Sequence, residues 1–387
     1  MRRRVYGAQI LAAVLALCAP IPAMAQQPFP ALVVSVVELS GDGAIAGNNF
    51  NNGLQLAFKE INAAGGILGT KVEVISLDTQ TKTEVTKAAL NKAAEMNAYA
   101  VMGPVISDMV LASMEEIRRN EIPTYIAADA ASITQQGNPY IFRSSLSQTV
   151  TMPKLARYLK DGLRAETVAM AWVDNDFGRG GREAMTKALA VEGLKLVADL
   201  RTTPDQTNFT DVVAKMVASK ADVAFVYLNE DEAALALREL HDQAYGGWVI
   251  GETTLISQSV IDLAGEEATN GIRGHTGMSP DALLPSIREA SGKFLQEYKY
   301  KGDHNTMKGY SAAYILKAAT EKVGKFDKKE LANAMRGLAL SAKDHPGILL
   351  DVKYDDKGDL DRVSFIVRVV GRHQEMIAIL PAAAGAF

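Results

Sequence analysis

Cysteine is nearly absent. The chain of 387 residues has one, Cys18, inside its first 25 positions, so the remainder can use neither a disulfide nor a thiol nucleophile. Histidine is sparse: His241, His275, His304, His345 and His373 are scattered, without the H-E-x-x-H or comparable spacing of a zinc site. No G-x-S-x-G elbow occurs, which removes the hydrolases built on one. Neither sign of charge is in large excess, since 41 Lys and Arg against 45 Asp and Glu give −4. With no basic patch and no acidic tail, nothing points to nucleic acid or a membrane surface. The apolar segment Ile10–Ala19 is too short to span a bilayer.

What is present begins with a leader. Arg2-Arg3-Arg4 is a basic start, Ile10–Ala19 a short apolar centre, and Ala23-Met24-Ala25 fits the small-x-small cleavage rule. Cleavage after Ala25 would remove three arginines and no acid, taking the net charge from −4 to −7. A lipid-anchored reading of Leu15-Ala16-Leu17-Cys18 is opposed by the bulk of Leu17. Residues 1–25 are therefore expected to be a signal peptide, and the rest an exported soluble protein. That rest exceeds what one core usually organises, so two domains are expected.

The stretch Leu32–Asp78 sets the pattern. LVVSVVEL is a β-branched run of the kind buried on both faces of a parallel sheet. Ser40-Gly41-Asp42-Gly43 is a turn whose glycines allow positive φ and close approach to the backbone. A helix is predicted from about Asn48, with Phe50, Leu54, Ala57, Phe58 and Ile61 on one stripe and Gly65-Gly66 at its end. Lys71–Leu77 is a second strand that delivers Asp78 at its carboxyl end. The right-handed crossover of such a βαβ unit puts both carboxyl ends on one rim, outside which ligands bind in open α/β sheets.

The theme repeats. A helix at Glu84–Met96, a strand at Tyr99–Met102, a helix carrying Val110, Met114 and Ile117, and a strand at Ile122–Ala127 follow. After Arg143-Ser144-Ser145 the alternation restarts and runs through strands Val168–Val173, Lys195–Leu200, Asp222–Leu228 and Trp248–Gly251. Beyond Ile272–Thr276, three predicted helices (Ser286–Tyr300, Met307–Val323, Lys328–Leu338) run without strands between them and should cover the first unit. Asp351–Tyr354, Val363–Val370 and Glu375–Leu380 read as closing strands. The fold class is α/β: two doubly wound lobes, crossed by the chain near Ser145, His275 and Asp355. The boundaries expected are 26–145 with 276–355 for one lobe and 146–275 with 356–387 for the other.

Gly41-x-Gly43-x-x-Ala46 matches the dinucleotide fingerprint, but the acid expected about twenty residues on is missing, since Glu60 lies inside the helix. A Rossmann-type oxidoreductase is the weaker reading, and no cofactor is expected. Asp355-Asp356-Lys357-Gly358-Asp359 lacks the alternating ligands of a calcium loop and reads as a turn. Ser107, just before a predicted helix, offers a hydroxyl beside unpaired N–H groups and suits a carboxylate or other acceptor, or simply caps the helix. Asp129, Asp174, Glu230 and Glu252 fall at rim positions and together would suit a donor-bearing ligand.

The segment ELSGDGAIAGNNFNNGLQLAFKEINAAGGILGTKVEVISLD closely resembles the amino-terminal region of periplasmic branched-chain amino-acid-binding proteins of ABC transporters. The similarity continues through Val101–Ser107, Ile141–Ser145, DNDFGRG at Asp174–Gly180, TTPDQTNFTDVVAKM at Thr202–Met216 and YDDKGDL at Tyr354–Leu360. It implies a type I periplasmic binding protein with a three-stranded hinge, a monomer in the periplasm that closes on a small ligand and docks on a membrane permease. It implies no enzymatic activity. Ser107 matches the serine that binds the ligand carboxylate, Ala127 a neighbouring backbone contact (with Ala128 beside it), and Phe177 an aromatic that packs on the ligand. Asp129 stands where leucine/isoleucine binders have threonine, Asn229 where they have tyrosine, and Ala46 where they have an aromatic residue. The ammonium-binding glutamate aligns beside Glu252, or else with Thr253. An anionic Asp129 beside a bound carboxylate would be repulsive, so another amino acid, an amide-like solute or an aromatic acid fits as well as leucine. A sensory ligand-binding protein is a further alternative.

Overall fold

The computed structural model describes residues 31–382; the expected signal peptide 1–25, with Cys18, lies outside the described residues. The first sheet is built from β1 (Ala31–Val37), α1 (Ala44–Ala63), β2 (Val72–Asp78), α2 (Thr83–Glu95), β3 (Ala100–Met102), α3 (Ser107–Ala112), α4 (Met114–Asn120), β4 (Thr124–Ile126), α5 (Ser132–Gln135) and β5 (Ile141–Arg143). Its strands run β2-β1-β3-β4-β5, all parallel. The β1 side chains explain the layering. Val33 and Val37 pack with Phe50, Leu54 and Phe58 of α1, while Val34 and Val36 pack on the other face with Leu90, Val110 and Ile117. A strand apolar at every position but Ser35, whose buried hydroxyl donates to Asn51 Oδ1 at 2.8 Å, thus buries both faces, as parallel sheets require.

The second unit comprises α6 (Gln148–Arg157), β6 (Thr167–Val173), α7 (Asp176–Glu192), β7 (Lys195–Thr202), α8 (Thr210–Ser219), β8 (Val223–Tyr227), α9 (Glu230–Asp242), β9 (Trp248–Gly251), α10 (Gln258–Ala264), α11 (Glu266–Thr269) and β10 (Arg273–Thr276). The chain then forms α12 (Pro285–Tyr298), α13 (His304–Val323), α14 (Lys328–Met335), β11 (Ala339–Leu340), β12 (Val352–Tyr354), β13 (Leu360–Asp361), β14 (Ser364–Val370) and β15 (His373–Leu380). The seven-stranded order is β15-β14-β10-β9-β8-β6-β7, with β14 and β15 joined antiparallel at one edge. A small third sheet, β11-β12-β13, lies among the crossing segments, where Leu146 also bridges Leu360.

Helix α13 returns to pack along α1, as the strandless helical run suggested. The two backbones nearly touch. A β-carbon on Gly53 would lie 2.0 Å from the carbonyl oxygen of Thr306, and one on Gly309 would lie 2.0 Å from that of Phe50. Glycine on both helices is what permits this approach. It carries the first turn of α13, closed by a capping box between Asp303 and Thr306, to the carboxyl rim of the first sheet.

Two local expectations are corrected. The helix predicted through Val110, Met114 and Ile117 is broken at Ser113 (φ −111°, ψ 14°) into α3 and α4. Helix α1 begins at Ala44 rather than near Asn48, because the turn after β1 is short and α1 starts directly from Gly43.

Candidate functional site

A cavity of about 520 Å³ opens between the carboxyl rims of the two large sheets. Ser107, Ala127, Asp129 and Lys308 line it from the first-sheet side, and Phe177, Asn229 and Glu230 from the other.

Ser107 is the first residue of α3, with Ile106 in the capping position, so it does not cap. Its Oγ accepts the backbone N–H of Ala130 at 3.2 Å. In the loop before it, the N–H groups of Val105 and Ile106 donate to the buried Glu38 carboxyl at 3.1 and 3.4 Å. Burial outweighs these donors and pushes Glu38 up to about 7. What Ser107 offers the cavity is its hydroxyl.

Ala127, Ala128 and Asp129 follow β4, and Arg143 at the end of β5 decides how they point. Its fully buried guanidinium donates to the carbonyl oxygens of Ala128 and Ala130, to Thr134 and to Asp359. Ser145 Oγ also donates to Ala128 O at 2.9 Å. Ala128 therefore faces inward, away from the cavity. Asp129, between the two held carbonyls, faces out, where Lys308 Nζ lies 3.5 Å from its Oδ1 and 3.4 Å from the Ala127 carbonyl oxygen. Lys308 was missed by sequence reasoning. A lysine within a predicted helix carries no local signal, and its place here comes from the glycine contact between α1 and α13.

On the other side, Phe177 in the first turn of α7 stacks on Tyr227, with centroids 4.2 Å apart and planes at 19°. Gln148 holds this pair by donating to Tyr227 Oη and to the Phe177 carbonyl oxygen, each at 2.8 Å, while its Oε1 accepts the Ala131 N–H. Asn229, at the start of α9, accepts from the Asn175 amide at 3.3 Å.

Glu252 and Thr253 do not reach the cavity; Thr254 does. Glu252 is buried with its Oε1 2.8 Å from His275 Nδ1, and its Oε2 accepts the N–H and hydroxyl of Thr253 at 3.1 and 3.0 Å. Burial alone would raise this carboxyl, but the charge and hydrogen bond of His275 outweigh it and hold it down to about 2. His275, in β10, is the partner that draws Glu252 inward. Asp174 is paired with Arg179 and Arg201, away from the cavity lining.

The lining is acidic. Asp42, Asp108, Asp129, Asp205, Glu230, Asp231 and Glu232 face Lys308 as the lone amine or guanidine among the described lining residues. His304 adds no charge, because burial and then Lys308 hold its imidazole well below the ordinary range. Burial and the Asp303 charge push Glu230 up to about 8. Among the described residues no group of three or more His, Cys, Asp and Glu is placed to hold a metal. No described helix is long and apolar enough to cross a membrane.

The family model described as "Periplasmic binding protein" matches residues 33–373. The chain belongs to this family. A relative, the Leu/Ile/Val-binding protein BraC3 of Rhizobium johnstonii, is 28% identical over 335 residues, covering 85% of this chain and 89% of its own. Among solved structures, the branched-chain amino acid transporter substrate-binding protein LivJ of Streptococcus pneumoniae, in complex with isoleucine, superposes with a TM-score of 0.81 at 19% identity, covering 92% and 99% of the two chains. An ABC transporter solute-binding protein of R. palustris, in complex with benzoate, gives 0.80 at 20% identity over 92% and 99%. The fold is that of type I periplasmic binding proteins, a family of solute binders rather than enzymes, and membership implies an exported protein.

Proposed function

We propose that this protein is the extracytoplasmic solute-binding component of an ABC importer, and that it captures a small polar solute of amino-acid type in the cavity between its lobes. The lobes are 26–145 with 276–355 and 146–275 with 356–387, following removal of residues 1–25. The observation that carries the reading is the lining of one cavity by side chains from both carboxyl rims. A solute touching both makes its full set of contacts only when the lobes are together, so binding shifts the open–closed balance toward closure. The closed monomer is then what a membrane permease recognises. Ser107 and Lys308 supply donors for the acceptor end of the solute, Phe177 on Tyr227 supplies an apolar wall, and Glu230 with Asn229 faces the donor end.

The benzoate bound by one structural neighbour raises an aromatic acid as a second candidate, and the Phe177–Tyr227 stack would suit its ring. The excess of carboxyl groups opposes it, because a ligand anion would meet like charge throughout the lining. A thermal-shift screen of amino acids, amides and aromatic acids tests the assignment, since a ligand that binds the native state alone raises its melting temperature. Ser107→Ala should lower the affinity for the hit about 10-fold, the loss of one hydrogen bond near 1.4 kcal/mol, and should also lower apo stability by about 1 kcal/mol, because Ser107 Oγ accepts the buried Ala130 N–H. Unchanged affinity by calorimetry would refute the role of Ser107, and a screen without hits the proposal.

A further inference from the structure

We propose that Gln148 is the positioning residue of the solute site: its amide sets the aromatic wall of one lobe and the Asp129 loop of the other in a single register, so that one solute meets both. This rests on the reading of the cavity as a solute site. Gln148 opens α6, between the last strand of the first sheet and the first of the second, and is 1% exposed. It does not line the cavity itself, but two of the residues it holds, Asp129 and Phe177, do. Toward the first sheet, its backbone N–H donates to the Asp129 carbonyl oxygen at 3.0 Å, and its Oε1 accepts the Ala131 N–H at 3.2 Å. Those bonds flank Ala130, whose own N–H is held by Ser107. Toward the second sheet, Nε2 donates to the Phe177 carbonyl oxygen and to Tyr227 Oη, each at 2.8 Å.

The amide can lie only one way. Ala131 brings a donor and the Phe177 carbonyl an acceptor, so exchanging Oε1 and Nε2 would break both bonds. Helix α7 is cut back to admit it. A β-carbon on Gly180 would stand 2.5 Å from Gln148 Oε1, and one on Gly181 would overlap the Tyr227 ring. Each of these glycines costs α7 about 1 kcal/mol of helix propensity against alanine. A buried polar network whose members are all satisfied rigidifies its surroundings. The parts made rigid here are Asp129 and Phe177, on opposite sides of one cavity, and a site is only as exact as the groups that support its contact residues.

The test uses the mature protein, freed of co-purified ligand by unfolding and refolding. The probes are the standard L-amino acids, acetamide and benzoate, ranked on the parent by thermal shift, and the strongest is titrated by calorimetry at pH 8 and pH 5. Gln148→Glu keeps the acceptor for Ala131 but sets a carboxylate against the Phe177 carbonyl. Tyr227 can turn its own O–H toward that carboxylate, whereas the carbonyl can only accept. The variant should bind the probe about 10-fold more weakly at pH 8. Relative to the parent, the loss should shrink at pH 5, where the new acid gains a proton and can donate. The titratable groups within reach are Tyr227, Glu252 and Asp129; burial, then the charges of the two acids, raise the Tyr227 phenol well above its usual range, so it stays neutral at both pH values. Gly180→Ala is the second variant. It gains helix propensity and displaces only the flexible end of Gln148, so it should fold as stably as the parent yet bind about 5-fold more weakly. If both variants bind like the parent, or if Gln148→Glu shows the same loss at both pH values, the positioning inference falls while the solute-binding reading stands. A lowered apo melting temperature with unchanged affinity would make Gln148 structural only and also overturns it. If no probe binds the parent, both readings fall.

Discussion

Glu38 illustrates how a residue outside the cavity sets its shape. It ends the first strand's run and holds the loop of Val105 and Ile106 through two N–H groups. Burial pushes its carboxyl up to about 7 against an unfolded value near 4.5. A raised carboxyl favours the folded state most fully below pH 4.5, and that contribution is lost as pH rises through 7, by about 3 kcal/mol. Glu38→Gln should therefore gain stability relative to the parent as pH goes from 5 to 8. Denaturant melts at the two pH values measure this, and a difference that does not change with pH would show that Glu38 is ionised throughout. The same scale separates Glu252 from Glu230. Both fall at rim positions, but His275 lies within hydrogen-bonding distance of the former alone, so one carboxylate is drawn inward and the other faces the cavity.

At the scale of elements, the contact between α1 and α13 governs where the lysine of the cavity sits. Gly309→Ala tests it, since two effects oppose each other. Helix propensity favours alanine by about 1 kcal/mol. The new methyl would meet the Phe50 carbonyl oxygen at 2.0 Å, and forcing an overpacked contact apart costs about 1–3 kcal/mol or more. Packing wins at that distance, so the variant should melt several degrees lower and bind its solute more weakly, as Lys308 moves with the helix. A variant as stable as the parent would mean the helices separate freely.

Elements such as β1 and α1 were legible because the sequence signal and the tertiary environment agree: β-branched residues buried on two faces, and an apolar stripe against a sheet. The break at Ser113 was not, because the apolar spacing of Val110, Met114 and Ile117 survives across it. Phe177, Asn229 and Asp129 were placed by resemblance and by their position after strands. Lys308 and the inward turn of Glu252 depend on partners 179 and 23 residues away, and no local pattern records them.

Over the whole molecule, the units built on the two large sheets also touch directly at the edge of the cavity. Asp108 of α3 accepts the N–H of Asp176 at the start of α7, at 3.0 Å. Burial and then the Asp176 charge raise its carboxyl, so the bond is made at a partly desolvated place. A hydrogen bond to a charged group contributes about 1.5–3 kcal/mol. Asp108→Ala should shift the population toward the open form, weakening the solute by about 10-fold or more and raising the radius of gyration in small-angle scattering. Identical scattering profiles and affinity would assign the contact to both forms equally.

The position of Lys308 has a consequence for biogenesis. It pairs with an aspartate made 179 residues before it, and β14 and β15, which complete the edge of the seven-stranded sheet, are made later still. A chain emerging amino terminus first from a translocation channel can assemble most of the first sheet while its binding surface still lacks the amine. On the proposed reading, capture competence arrives late in export, and a truncated product ending before residue 304 lacks Lys308.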